Sequence, residues 1–268
     1  MIRGYLKIGL RTLIKDRLFS VLNISGLAIG MSASIMILFY INFERSYDRF
    51  HKGYDNIYRL RVERTSESGE AIRFASCCPP AGLRIRELYP EVEKVARILR
   101  YTGTISFETT MFVEDRLFFA ESEFLEMFDF EIERGATSDA LDEQGKILIS
   151  QSTARKYFGD KDPIGESLEL DKRMVFTVAG IFKDIPKNSH LKFDFLLSWP
   201  DVSIMYGPEF KEAWGHTGVF TYLSFREEAD IKSFENKLDQ LVEKEFGEEL
   251  RYYKLSMELP LQNWEIST

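Results

Sequence analysis

The feature that most constrains this chain is an uncharged stretch near its N-terminus. Between Arg17 and Glu44, the 26 residues 18–43 contain no charged side chain. As a helix rising about 1.5 Å per residue they would extend roughly 39 Å, which exceeds the ~30 Å hydrocarbon core of a bilayer. A cleavable signal peptide has a shorter apolar region that ends at small residues, whereas this run ends near Phe39 and Phe43. The sequence therefore predicts a transmembrane helix over 18–43.

The leader, residues 1–17, carries five basic side chains and a single acidic one, Asp16. Lys and Arg are retained on the cytoplasmic side of a membrane, so we expect a cytoplasmic N-terminus and a periplasmic or extracytoplasmic domain over 44–268. Apolar residues of the leader recur at roughly helical spacing, which predicts an amphipathic helix on the inner leaflet. A frayed basic tail is the alternative. We expect the chain in the cell inner (plasma) membrane.

The exported part is acidic. The formal net charge of the whole chain is −8, and the leader holds an excess of four positive charges, so residues 44–268 carry about twelve more negative than positive charges. This balance argues against a nucleic-acid partner. The two cysteines, Cys77 and Cys78, are adjacent, so the sequence offers no pair of separated thiols for a structural disulfide. A metal or redox role for this pair is a minor alternative.

Short strand-like segments outnumber helical ones after residue 56, which predicts a mixed α+β domain. Two β-α-β-type halves are expected at 57–130 and 215–258, around an inserted β-rich subdomain at about 135–200. The first strand, Ile57–Thr65, alternates so that Tyr58, Leu60 and Val62 are expected inside, opposite Arg59, Arg61 and Glu63.

Local patterns predict further elements. The membrane helix is expected to continue from Glu44 to Asp55 and to break near Gly53. The sequence of 92–120 is typical of strands, with polar interruptions at 102–103 and 114–115. Further expected features are a helix capped by Ser122, a helix started by Ser150 or Ser152 and stopped by Gly159, a strand over 190–198, a helix over 208–214 and an amphipathic helix over 230–246.

No catalytic, cofactor-binding or metal-binding residues can be assigned from the sequence, and we do not expect an enzyme or a cofactor. Its three histidines, His51, His190 and His216, lack the spacing of a metal motif, and neither GxSxG nor GxxxxGK[ST] occurs. His190 is interpreted as a turn residue that bonds its neighbours. A membrane-tethered hydrolase would require a cavity that joins His190 or His216 to a carboxylate and a nucleophile.

Four segments form a recognisable set. They are ERSYDRFHKGYDNIYRL at 44–60, QSTARKYFGDKDPIGESLEL at 151–170, FTVAGIFKDIPKNSHLKFDFL at 176–196 and TYLSF at 221–225. Together they resemble the extracytoplasmic core of MacB-like ABC transporter permeases. The opening LKIGLRTLIKDRLFSVLNISGLAIG at 6–30 also resembles the FtsX-like permease pattern. Because Gly, Pro and Asn-Ser pairs set rigid turns, we interpret 159–165 and 184–189 as scaffold turns without a ligand role.

The resemblance implies a permease subunit that does not itself hydrolyse ATP. It implies a separate cytoplasmic ABC ATPase, a homodimer or heterodimer of permease chains in the bilayer, and a periplasmic or outer-membrane partner. ATP hydrolysis would drive movement of the external domain for export, efflux or lipoprotein handling, with force entering at 42–52. Such permeases have three further helices, so we expect an N-terminal fragment or a truncated reading frame. The alternative is a single-pass, membrane-tethered interaction or sensory module without a transport role.

Overall fold

The computed structural model describes residues 14–45, 51, 53–65, 70–246 and 253–259. The chain divides into two compact units, Met1–Tyr47 and Asp48–Thr268. The described α-helices are α1 (Arg17–Arg45), α2 (Pro79–Leu88), α3 (Ser122–Met127), α4 (Gln151–Phe158), α5 (Val202–Tyr206) and α6 (Ile231–Phe246). The described strands are β1 (Ile57–Thr65), β2 (Ala71–Phe74), β3 (Val92–Phe107), β4 (Thr110–Ala120), β5 (Ile132–Gly135), β6 (Lys146–Ser150), β7 (Ser167–Leu170), β8 (Met174–Phe182), β9 (Phe195–Ser198), β10 (Val219–Phe225) and β11 (Tyr253–Glu258).

Helix α1 is long and apolar enough to cross a bilayer, and none of the side chains in its apolar window is buried by the rest of the protein. The hydroxyl of Ser34 donates to the carbonyl of Gly30 at 2.9 Å, so this polar group is satisfied within the helix. The predicted leader helix lies mostly outside the described residues, as do residues 46–50 and 52. The predicted continuation to Asp55 is wrong at its end, because Tyr54–Asn56 forms a 3₁₀ turn after Gly53.

The predicted α+β fold is confirmed. The described strands form a mixed sheet in the order β11-β1-β10-β3-β4-β9-β6-β8-β5, with β2 beside β1 and β7 beside both β3 and β8. The β4–β9 and β6–β8 pairs are parallel, and the remaining pairs are antiparallel. The limits 57–130, 215–258 and about 135–200 for the subdomains stay a prediction.

The first four strands of this order form a split β-α-β arrangement, in which α2 and α6 cover the same face. Leu60 of β1, Ile85 of α2, Leu223 of β10 and Leu238 of α6 are fully buried together there. The prediction for β1 is wrong in one respect. Arg59 lies on the face opposite Leu60, as expected, but it is buried there, with only 4% of its surface exposed. Strand β1 is therefore buried on both faces along its first half.

Strands β3 and β4 form one long hairpin whose turn lies at residues 108–109, not at the polar interruptions that the sequence suggested. Glu108 takes the positive φ of 51° that this tight turn needs. Gly103 instead marks a register shift within the ladder, where an added Cβ would lie 2.7 Å from Cε1 of Tyr101. Glycine is required there because a neighbouring side chain packs against the backbone.

The residues predicted to begin and end helices were partly correct. The hydroxyl of Ser150 accepts from the N–H of Thr153 and caps α4, and Gly159 ends that helix with a φ of 60°. Ser122 is not a cap, because it is the first helical residue of α3 and Glu121 occupies the cap position. The helix over 230–246 is confirmed as α6.

Two predicted elements differ in kind. The strand over 190–198 is reduced to β9, and residues 190–194 form no ladder although Leu191 and Phe193 are buried. The helix over 208–214 is a 3₁₀ segment at Pro208–Glu212. Apolar side chains fix both segments against the core without a regular backbone pattern, which the residue spacing alone does not reveal.

Candidate functional site

The described chain enters the domain at His51, six residues beyond the last residue of α1 at Arg45. The His51 side chain is 2% exposed. Its ring packs edge-on against Phe128 and Phe130, with centroid distances of 5.2 and 4.9 Å. The stretch after the membrane helix is thus fixed to the domain from its first described residue.

The rings that hold His51 belong to a larger aromatic cluster, which we define as His51, Phe124, Phe128, Phe130, Phe193 and Tyr222. Phe128 lies 5.0 Å from Tyr222 of β10, and Phe130 lies 4.9 Å from Phe193. Edge-on aromatic pairs add about 0.5–1.5 kcal/mol beyond the area that they bury. The aromatic cluster therefore joins the entry point to β10, an interior strand of the sheet.

The turn over 159–165 stabilises the scaffold. Its two glycines have φ values of 60° and 86°, and the Gly165 N–H donates to the carbonyl of Val178 at 2.8 Å. Asp162 accepts from the backbone of Ile164 at 3.2 Å and pairs with Arg134 at 2.7 Å. These bonds, led by the one from Ile164, hold the pKa of Asp162 below its ordinary value.

The turn over 184–189 also contacts the scaffold. Asp184 accepts from the backbone N–H of Ser152 at 2.9 Å, in the first turn of α4. The hydroxyl of Ser189 is buried and accepts from the N–H of Leu191 at 3.2 Å. The absence of a ligand role for either turn stays a prediction.

The two histidines of the domain that could serve as bases have different surroundings. His190 does not simply bond its neighbours, because its Nε2 lies 3.3 Å from the hydroxyl of Tyr222, 32 residues away. His216 accepts from the N–H of Gly218 at 3.1 Å through Nδ1 and packs on Phe210. Burial lowers the pKa of His216.

The adjacent cysteines are core residues. Both are fully buried, and their sulfur atoms are 3.7 Å apart, too far for a covalent bond. Burial, followed by the hydrogen bond to Cys78, raises the pKa of the Cys77 thiol well above its ordinary value. A protonated, buried thiol is a poor nucleophile and a poor metal ligand.

The described part of the domain offers few groups that could carry out catalysis together. A cavity beside His190 also contains Asp115 and Tyr222, but none of its described lining residues is a Ser, Thr or Cys. No group of three His, Cys, Asp or Glu side chains among the described residues is arranged to hold a metal ion. The prediction that the chain has no catalytic, cofactor or metal site stays a prediction.

Comparison with known proteins identifies this architecture. A family model described as the MacB-like periplasmic core domain matches residues 20–241. A domain of a protein described as a permease from Porphyromonas gingivalis has a TM-score of 0.66 and 26% identity, and the match covers 76% of this chain and 88% of that one. No curated protein sequence matches the chain.

Two further solved structures are similar in fold. The periplasmic region of MacB from Actinobacillus actinomycetemcomitans has a TM-score of 0.54 and 12% identity, over 75% of this chain and 88% of that one. The extracellular domain of the noncanonic ABC-type transporter YknZ from Gram-positive bacteria has a TM-score of 0.53 and 15% identity, over 75% of this chain and all of that one.

Sequence reasoning missed the buried cation Arg59 and the position of His51 in the aromatic cluster. Arg59 looked like a solvent-facing residue because it alternates with Leu60. A signal was present in Glu258, a carboxylate at the matching position of the last predicted strand, which accepts from Arg59. Single-sequence reading does not give the pairing register that brings these two side chains together.

Proposed function

This chain belongs to the family of MacB-like periplasmic core domains, and from that membership we propose that it is the membrane-anchored permease part of an ABC transporter. A separate cytoplasmic ATPase binds the chain and hydrolyses ATP. The permease itself performs no chemistry and transmits movement to its external domain. The movement serves export, efflux or lipoprotein handling.

The observation that carries this proposal is the fixed entry of the chain into the domain. A membrane helix can move a domain only if the connection between them resists being pulled out, since a flexible tether dissipates the displacement. His51 is buried between two phenylalanine rings. Asn56 then donates from its side chain to the carbonyl of Phe225 at 2.5 Å. Force applied at His51 thus acts directly on the core.

The expected topology puts residues 1–17 in the cytoplasm and 44–268 outside, and the permease acts as a homodimer or heterodimer. Protease added to intact spheroplasts should digest the external domain, whereas it should not reach an N-terminal epitope tag until lysis. Full protection of the external domain before lysis would overturn the topology and the transport proposal with it.

The coupling is tested with a flexible insertion. We propose adding a ten-residue Gly-Ser linker between residues 46 and 50 of the full chain, in membranes that also contain the cognate ATPase. The matched control places the same linker at 66–69, between β1 and β2. A spin label at Glu227→Cys, an exposed site, reports the distance between domains of two permease copies with and without ATP.

The linker at 46–50 should leave co-purification with the ATPase intact and abolish the ATP-dependent change in label distance. The control linker should preserve both. Equal distance changes in the two variants would refute transmission through this segment. Failure of the unmodified chain to co-purify with any ABC ATPase would favour the alternative of a tethered interaction module.

A further inference from the structure

A cavity of about 250 Å³ lies on the sheet face opposite α2 and α6, and nothing in the transport proposal uses it. Strands β1, β10, β3 and β4 form its floor. The irregular segment at residues 190–192, which precedes β9, forms its side. The backbone of that segment is irregular where the sequence predicted a strand, and this leaves the sheet face beneath it only partly covered.

The pairing register places apolar and basic side chains alternately on this floor. Arg59 lies directly opposite Tyr222, Phe220 opposite Ile98, and Arg100 opposite Phe118. Directly opposed residues in a sheet project from the same face. The cavity is thus formed by rigid strands at a defined position.

The charge of the lining is basic, although the chain as a whole is acidic. Four basic side chains and one carboxylate line the cavity, namely Arg59, Arg100, Arg116, Lys192 and Asp115. This local reversal of charge favours an anionic ligand, because the basic groups concentrate anions at the cavity mouth.

The carboxylates around the cavity do not neutralise all of these cations. Glu258 bonds the guanidinium of Arg59, which is buried. Arg100 donates from Nε to the backbone carbonyl of Asp115 at 3.2 Å, but its guanidinium lies 3.9 Å from the Asp115 carboxylate, and that of Arg116 lies 3.5 Å from Asp194. Both carboxylate distances are longer than a good charge-assisted hydrogen bond. Lys192 makes no ion pair with any residue that the structure describes.

The rim cations are therefore available to a ligand. The side chains of Arg100 and Arg116 are 57% and 52% exposed, and Lys192 is exposed too. A carboxylate or phosphate placed among them would form shorter bonds than their present partners do. Arginine suits this task because its planar guanidinium binds such groups through two parallel hydrogen bonds.

The floor between these cations is apolar. Ile98 and Phe118 are buried, and Phe220 is partly exposed beside them. The volume is smaller than the ~300–1,000 Å³ of typical pockets for drug-sized ligands. Phe220 is the apolar side chain of this floor that remains partly exposed, so a small hydrocarbon or aryl group would pack on it, whereas an inorganic anion would leave it exposed.

We propose that this cavity binds a small anion with an apolar body, that is, an aryl or alkyl carboxylate or phosphate. The apolar body packs on Phe220 beside the edge of Phe118, and the anionic group lies at the rim between Arg100 and Lys192. The proposal concerns the domain alone and does not rest on coupling to an ATPase. Tyr222 lines the cavity and also contacts Phe128, so a bound ligand would touch the aromatic cluster.

The test uses the full chain in lipid nanodiscs and 3-(4-fluorophenyl)propionate as the probe, followed by fluorine NMR. The variant R100Q/K192Q removes two exposed rim charges, and R173Q/K232Q removes two exposed charges elsewhere as its matched control. Trifluoroacetate supplies a fluorinated carboxylate without an apolar body. Empty nanodiscs give the contribution of the lipid.

The probe should bind the unmodified chain and the control alike, and at least about tenfold more weakly to R100Q/K192Q. Trifluoroacetate should not bind, and equimolar inorganic phosphate should not displace the probe. Equal binding to the two double variants would overturn the site. Displacement by phosphate would show a simple anion site instead, and absence of probe binding to the unmodified chain would show that the cavity does not take such a ligand; either result would overturn the proposal.

Discussion

The imidazole of His51 lies edge-on to the ring of Phe128, with 5.2 Å between their centroids. Phe128 is 2% exposed and also contacts Tyr222. A single phenylalanine thus links the residue where the described chain enters the domain with β10, an interior strand of the sheet.

Phe128→Ala should lower the free energy of unfolding by about 3 kcal/mol, because it removes a buried ring and leaves a cavity between His51 and Tyr222. Urea unfolding of the full chain, followed by tyrosine and tryptophan fluorescence, measures this loss. The control is Phe112→Ala, since Phe112 is 42% exposed near the tip of the β3–β4 hairpin. The control should lose about 1 kcal/mol or less, and equal losses would contradict the role given to the aromatic cluster.

Arg97→Ala should cost about 3 kcal/mol, because it leaves the carboxylate of Glu121 without its partner in a nearly buried site. The Arg97 side chain is 6% exposed, donates to the carbonyl of Pro79 at 2.9 Å and stacks on Trp199 at 4.5 Å. Thermal unfolding by circular dichroism tests the loss.

The matched control for that pair is Lys94→Ala. Lys94 pairs with Glu126 at 2.8 Å, but the two side chains are 38% and 46% exposed. Solvent screens such a pair, so the expected cost is below about 1 kcal/mol. A control that proves as costly as Arg97→Ala would mean that burial does not set the energy of these pairs.

Glu91→Gln should destabilise the domain slightly at pH 7 and not at all in acid. The hydrogen bond from Lys237 of α6 is the largest factor that lowers the pKa of Glu91. A carboxyl group with a lowered pKa in the folded state adds stability above its unfolded pKa near 4.3 and loses it as the pH falls through the folded value.

Urea unfolding of Glu91→Gln and of the unmodified chain between pH 7 and pH 3 measures the difference in their free energies of unfolding. It should be below about 1 kcal/mol at pH 7, because the Lys237 side chain is 41% exposed. Glu93→Gln is the control, since Glu93 is exposed and has no ion pair within the described chain. A difference that grows as the pH falls would have the wrong sign for this mechanism.

Gly135→Ala should be strongly destabilising, by more than about 3 kcal/mol. An added Cβ would clash with the backbone carbonyl oxygen of Ala179, and Gly135 has a φ of 92°. Gly145→Ala separates the two effects, because φ there is 72° but the nearest atom is 3.6 Å away. That control should cost about 1 kcal/mol from the backbone alone. Similar melting temperatures for the two variants would contradict the clash.

The elements that could be predicted are those in which one physical signal dominates. The apolar run of α1 and the stripe of α6 needed only local periodicity. The amphipathic helix predicted at 230–246 is observed at Ile231–Phe246. Its buried residues follow the apolar stripe, so neighbouring parts of the fold do not override the pattern.

The sequence predictions failed where a tertiary contact determined the backbone conformation. Gly103 was predicted to lie in a polar interruption of the strand-like sequence, yet it is a point of close packing inside a strand. Glu108 carried no turn signal, yet it adopts a positive φ. The basic cavity has no local signature at all, because its cations come from β1, β3, β4 and the segment before β9. Only the pairing of four strands brings them together.

The antiparallel pairing of β1 with β11 determines how the domain responds to pulling. The described register begins at Arg59 opposite Glu258, so the start of β1 and the end of β11 are side by side. A pull on the segments before β1 and after β11 would separate these two strands one pair at a time rather than shear all pairs at once. Between the two strands, the first pair to be loaded is the buried ion pair of Arg59 and Glu258, which resists separation at the end where it would begin.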